Sequence, residues 1–298
     1  MKANLFLAAA ALSIATHAIT AQAATETVHY YSEAVRCNAK LFTPSNHGAS
    51  SSAAAVVLAP GQGETRASIE PVAEALATRG IVALAIDYRG WGECGGFLYF
   101  GEPVRWDDRM RFSQQTTTLR IRRLRIDPQA QVIDVRNAIT FLQSVPGVDR
   151  ARIGVWGVGL SGGHAIVTAG SDARVRSVVA QHPLLAGKDE PRAAFAPTPQ
   201  QQTMMIALAR TGAPADNRAA RTMNANEATV ALAEYKPYWY LEQIPQTTSV
   251  LLIAEDSQAA AADSAVKQLD GTASVLRIDK ARHAEATDAA VDWFARNL

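Results

Sequence analysis

Short runs of unbroken apolar residues alternate with segments whose apolar residues fall at helical spacing, from residue 55 to the end of the chain. A strand that is apolar on both faces has to be covered on both faces. That is the situation of strands in a mostly parallel sheet flanked by helices. The alternation predicts strands over Ala55–Ala59, Ile81–Ile86, Ile153–Trp156, Val175–Ala180, Val250–Ala254 and Val275–Ile278. Between them it predicts helices over Ile69–Thr78, with Gly80 as C-cap, and over Gln129–Leu142, with Val132, Val135, Ile139 and Leu142 on one stripe. A third helix follows the glycine-rich turn after Trp156, and the chain ends in a helix over Asp288–Arg296. A β-hairpin over residues 26–43 precedes the alternation. The expected class is α/β, with functional loops gathered at the carboxyl edge of the strands.

Size and charge narrow the function classes. The chain has 298 residues with 29 basic and 28 acidic side chains, so it carries no electrostatic footprint for nucleic acid. Residues 1–23 read as a signal peptide: Lys2, an apolar run Leu5–Ile14 too short to span a bilayer, and Ala21-Gln22-Ala23 at the cleavage site. Residues 24–298 then form the mature domain, expected in the periplasm or secreted. No later stretch is apolar for long enough to span a membrane. Export permits a disulfide between Cys37 and Cys94, the two cysteines, but sequence does not say whether they meet. No His, Asp, Glu or Cys spacing resembles a metal site. Oligomeric state is not legible.

Three loops after predicted strands carry chemistry. Gly157-Val-Gly-Leu-Ser-Gly-Gly163 follows the strand ending at Trp156. Glu255-Asp256 closes the strand through Ala254, and His283 follows the last strand. Serine, acid, histidine, in that order and each after a strand, is a nucleophilic hydrolase arrangement. The imidazole takes the serine proton, the carboxylate fixes the imidazole, and two backbone amides hold the oxyanion.

The chain resembles the α/β-hydrolase superfamily, near dienelactone hydrolase, acetyl xylan esterase and peptidase-like hydrolases. The matching stretches are Leu58-Ala-Pro-Gly-Gln-Gly63, Ala85-Ile-Asp-Tyr-Arg-Gly-Trp-Gly-Glu93, Val148-Asp-Arg-Ala-Arg-Ile-Gly-Val-Trp-Gly157 and Val291-Asp-Trp-Phe294. The resemblance implies an α/β-hydrolase fold with a small helical cap at about residues 183–245. It implies hydrolysis of a carboxylic ester or related acyl bond of a small molecule, without a dissociable cofactor. By resemblance, His283 is the general base and Asp256 its orienting acid, with Glu255 an adjacent competitor. The backbone amides of Gln62 and Gly162 would form the oxyanion hole.

The nucleophile can be placed in two registers. Counting from Asp149 and Ile153 puts Gly159 at the elbow, with Ser161 as the second small residue of the motif. Counting from the complete Gly159-Leu-Ser-Gly-Gly163 motif makes Ser161 the nucleophile, and requires the strand to continue through Gly157 and Val158. Ser161 is the only serine in the elbow and is the residue on which an acyl-enzyme would form. If Gly159 stands there instead, the chain is either a non-catalytic binding member of the fold or a hydrolase using histidine-activated water. His164 reads as a packed helix residue, and His182 as loop packing before pocket lining. Asp87, Arg89 and Glu93 read as loop-holding charges. Arg120, Arg122, Arg123 and Arg125 read as a solvated edge.

Overall fold

A computed structural model describes residues 23–100, 116–185, 228, 231–232, 234–269, 271, 273–278 and 282–298. The expected leader, and most of the expected cap at 183–245, lie outside the described residues. Eight strands form one sheet: β1 (Ala24–Ser32), β2 (Val35–Thr43), β3 (Ala53–Ala59), β4 (Val82–Ile86), β7 (Val148–Val158), β8 (Val175–Gln181), β9 (Ser249–Ala254) and β10 (Ala273–Arg277). Their spatial order is β1-β2-β4-β3-β7-β8-β9-β10. The first three neighbours pair antiparallel, and every pairing from β4 to β10 is parallel. A separate antiparallel ribbon joins β5 (Phe97–Phe100) to β6 (Leu119–Arg122).

The central strands are buried on both faces because helices cover both. Helices α1 (Glu70–Thr78) and α5 (His283–Asn297) bury Val72, Leu76, Val291 and Phe294 against one face. Helices α2 (Pro128–Leu142), α3 (Leu160–Ser171) and α4 (Ala259–Val266) bury Val135, Ile139, Ile166 and Ala265 against the other. Local chemistry sets the helix ends. The Asp127 carboxylate accepts the Ala130 amide ahead of Pro128, a capped start with proline in the first turn. Helix α1 ends at Gly80, φ +85°, where the Gly80 and Ile81 amides reach back to Ala77 and Leu76, the two bonds of a Schellman cap.

Two departures from the expected boundaries bear on the site. Helix α5 begins at His283 rather than at Asp288, so His283 is the first turn of a helix and not part of a preceding loop. Strand β7 runs to Val158, two residues beyond the apolar run, because Gly157 and Val158 still pair with β8. Cys37 on β2 and Cys94 in the turn after β4 are joined by a disulfide, which ties the antiparallel edge of the sheet to the 87–95 turn. In the Tyr238-Trp239-Tyr240 run, Trp239 is 58% exposed while its neighbours pack inward.

Candidate active site

The loops after β3, β7, β8 and β9 meet at the carboxyl edge of the sheet, where open α/β sheets hold their ligands. They enclose a cavity of about 750 Å³ lined by Glu64, Ser68, Trp156, Gly159, His182 and Glu255, with Ala284 and Thr287 of α5 on its wall.

Gly159 is the elbow. It sits between the last residue of β7 and the first of α3 at φ +59°, ψ −118°, a conformation costly for any residue with a side chain. Its amide donates to the Gln181 carbonyl, and its carbonyl accepts from the Leu184 amide. The turn closes tightly because its neighbours are small. A Cβ on Gly157 would stand 2.0 Å from the Ser161 carbonyl oxygen, and one on Gly162 would stand 2.9 Å from Pro183. At Gly159 itself the place of a Cβ is open, with no atom within 4 Å.

Ser161 is not at the elbow. The strand does extend as the Ser161 register requires, but the helix starts at once, at Leu160, and Ser161 falls inside its first turn. Its side chain is buried beneath the helix, 1% exposed. The Ser161 hydroxyl donates to the Pro60 carbonyl and accepts from the Tyr88 hydroxyl at 2.6 Å. Two residues along a helix turn a side chain by roughly 200°, which carries Ser161 away from the cavity that Gly159 faces. The expectation that Ser161 attacks the substrate is therefore corrected. Its hydroxyl anchors the start of the 60–63 loop to the core.

The rest of this buried layer is also closed. His164 Nδ1 meets the Tyr235 hydroxyl at 2.6 Å and Nε2 meets Gln131 Oε1 at 3.0 Å. A Gln131 oxygen accepts from Nε2–H, so Nδ1 is the acceptor of the tyrosine proton. Burial lowers the His164 imidazole to about 3 and raises the Tyr88 phenol, so both stay neutral. His164 is the packed helix residue its sequence position implied.

Asp256 and the Gly162 amide are not placed as expected. Glu255, not Asp256, lines the cavity. Asp256 opens an exposed 3-10 turn and is not among the lining residues. Glu255 Oε1 lies 3.9 Å from His182 Nδ1. The Gly162 amide is spent inside the helix, donating to the Gly159 carbonyl at 3.1 Å, so it does not face an oxyanion. With Gly159 at the elbow, the following amide belongs to Leu160, the first residue of α3, where helix amides have no intrahelical acceptor. In the loop after β3, Gln62 is exposed, and the Gly61 amide donates to Glu64 Oε2 at 3.2 Å. Ser68 donates to the same carboxylate oxygen at 2.9 Å. His283 opens α5 one helical turn before Thr287, on the helix that walls the cavity.

The loop-holding charges form two separate groups. Asp87, fully buried, accepts the Arg66 amide at 2.8 Å and Arg66 Nη1 at 2.5 Å, while Arg66 Nη2 reaches Glu93 at 2.9 Å. This group braces the 64–68 turn that carries Glu64 and Ser68. Arg89 pairs instead with buried Asp134 and with Glu33, away from the cavity. Among the described residues no cluster of three or more His, Cys, Asp or Glu is disposed to hold a metal ion, and no helix is long and apolar enough to cross a membrane.

A parallel sheet, a strand-to-helix elbow with a positive φ and a cavity over that elbow define an α/β-hydrolase fold. Residues 37–239 match the model of the dienelactone hydrolase family, and the chain belongs to that family. It is similar to the quorum-quenching protein AidA of Acinetobacter baumannii, 29% identical over 161 residues, which are 54% of this chain and 44% of the relative. It is also similar to the thiohydrolase aneE of Aspergillus aculeatus, 33% identical over 132 residues, 44% of this chain and 34% of the relative. The matched stretches thus span less than half the length of these curated relatives. The crystal structure of the dienelactone hydrolase from Anabaena variabilis superposes with a TM-score of 0.57 at 18% identity, covering 93% of this chain and 99% of the other.

Two of the lining residues, His182 and Glu64, were given no catalytic role by the sequence. His182 carried a signal, since it follows a strand as the other functional loops do. Glu64 carried none, because only the fold of the Gly61–Glu64 turn brings its carboxylate back onto the loop.

Proposed function

We propose that this protein is an exported hydrolase that cleaves a carboxylic ester, a thioester or a related acyl bond of a small molecule by direct attack of water. No acyl-serine forms on it. Family membership supports the hydrolase class, and the thiohydrolase among its relatives extends the acyl bond from oxygen to sulfur esters. The observation that carries the mechanism is the bare Cα of Gly159, with open space where the nucleophile's side chain would begin. A water molecule placed there occupies the attacking position.

The water oxygen bonds to the acyl carbon as a histidine takes one of its protons. The tetrahedral oxyanion is met by the Leu160 amide at the helix start. Collapse breaks the bond to the alkoxide or thiolate, which leaves with the proton from the imidazolium. The products are a carboxylic acid and an alcohol or thiol. The resemblance offers His283 for that histidine, and the hydrolase reading does not depend on which histidine serves. Export is supported by the leader pattern and by the Cys37–Cys94 disulfide, a bond that persists in oxidising compartments.

The purified mature protein is tested with p-nitrophenyl acetate, an acetyl thioester and a fluorophosphonate probe. Turnover of at least one ester without a covalent probe adduct is the expected result. A probe adduct on a serine together with turnover overturns the direct-water mechanism. No turnover by folded protein overturns the hydrolase reading in favour of a binding protein. Recovery of the chain in the periplasm or medium, starting at Ala24, checks export.

A further inference from the structure

Resting on the hydrolase reading above, we propose that His182, paired with Glu255, is the base that activates the attacking water, in place of the histidine near the C-terminus. The loop carrying His182 is stapled to the elbow from both sides. The Gln181 carbonyl accepts the Gly159 amide at 2.9 Å, and the Leu184 amide donates to the Gly159 carbonyl at 2.9 Å. Between those two bonds the His182 amide donates to the Ile253 carbonyl at 2.6 Å, tying the same residue to β9 just ahead of Glu255. The backbone segments that carry the elbow, the imidazole and the carboxylate are therefore tied together by hydrogen bonds across three adjacent strands.

His182 also holds a left-handed backbone conformation outside any hairpin turn. Among the described non-glycine residues with positive φ, Glu33 and Ala34 make the β1–β2 hairpin turn, and Leu124 follows the β5–β6 ribbon. His182 has φ +45° at the carboxyl end of a buried central strand, directly before a proline. Left-handed backbone at such a place costs free energy and gathers at functional sites. His182 lines the cavity that Gly159 opens into, and its Nδ1 lies 3.9 Å from Glu255 Oε1. Catalytic hydrogen bonds are often long outside the Michaelis complex and tighten within it, so 3.9 Å is compatible with a base–carboxylate pair.

The step balances without an outside reactant. Nε2 of His182 takes a proton from water as its oxygen joins the acyl carbon. Glu255 stabilises the imidazolium through Nδ1–H, and the leaving alkoxide or thiolate recovers the proton. The titratable side chains among the described cavity residues are Glu64, His182 and Glu255.

The test measures kcat and KM on p-nitrophenyl acetate for the mature protein and for H182N, H182G, E255Q and H283N, with folding checked by circular dichroism. Asparagine and glycine both tolerate the left-handed backbone, so these replacements keep the loop. H182N is expected to lower kcat by about 100-fold or more with little change in KM. Added imidazole is expected to restore part of the H182G rate. E255Q is expected to lower kcat by about 10-fold and to move the His182 NMR titration, and the acid limb of the rate profile, to lower pH. A normal rate in H182N, with the loss confined to H283N, overturns the assignment while the hydrolase reading stands. Absent turnover in the unsubstituted protein overturns both.

Discussion

Replacing Gly159 by serine separates the two things an elbow residue does, and the structure sets the size of each. The backbone there, φ +59° and ψ −118°, is one that only glycine adopts freely, so any side chain costs about 1–3 kcal/mol. No steric penalty is added, because nothing lies within 4 Å of the new Cβ. A loss of about 2 kcal/mol in a domain of this size lowers the melting temperature by about 4–8 °C. The introduced hydroxyl stands over the cavity, where the chain otherwise offers a bare α-carbon. Thermal melts followed by circular dichroism read the first effect, and intact-mass analysis after fluorophosphonate treatment reads the second. The unsubstituted protein should gain no mass, and G159S should gain one adduct on the introduced residue. An adduct on Ser161 in the unsubstituted protein would refute the placement of the elbow. A G159S protein as stable as its parent would refute the strain argument.

Ser161→Ala strands the buried Pro60 carbonyl and Tyr88 hydroxyl, so denaturant melts should show a loss of about 1–3 kcal/mol. Reduction of the Cys37–Cys94 disulfide releases a loop with a sequence separation of 57, worth about 4 kcal/mol by loop closure, and melts with and without reductant should differ accordingly. His164 is held neutral by burial, with its imidazole lowered from 6.5 to about 3. Between those values the unfolded chain binds a proton that the folded chain refuses. Stability therefore falls as pH drops below 6.5, by at most about 1.4 kcal/mol per pH unit, and urea melts of H164Q should show a shallower acid limb. Asp87→Asn removes the charge that buried Asp87 presents to Arg66, and melts should show a loss of about 3 kcal/mol together with a weakened KM, since Arg66 braces the 64–68 wall.

The sheet was legible because each central strand declares itself by covering both faces, and Val56, Val57, Leu84 and Val179 have no polar alternation to confuse with a surface strand. The helices were legible through their caps, as at Asp127 and Gly80. The site was legible only to the level of which loops meet. Position 159 against position 161 turned on where β7 yields to α3, and an apolar run ending at Trp156 does not report that the backbone of Gly157 and Val158 still pairs with β8. Glu255 and Asp256 are adjacent, so one residue of drift at the strand end exchanges a cavity carboxylate for a solvent one.

His182 was discounted for a different reason: its role is set by backbone bonds from Gly159 and Ile253, which side-chain patterns do not encode. On the proposed mechanism, the same bonds let the fold work without a serine at the elbow. The strained turn and the helix start behind it are both retained, and only the side chain between them is gone. A nucleophile delivered by solvent needs no covalent tether, but it needs a base held rigidly against the place where it lodges. A loop bonded on both sides to the glycine it faces supplies that rigidity from the backbone alone. On this argument the glycine and the left-handed histidine are one device, and restoring a serine at 159 without changing 182 tests whether the histidine serves a hydroxyl as readily as it serves water.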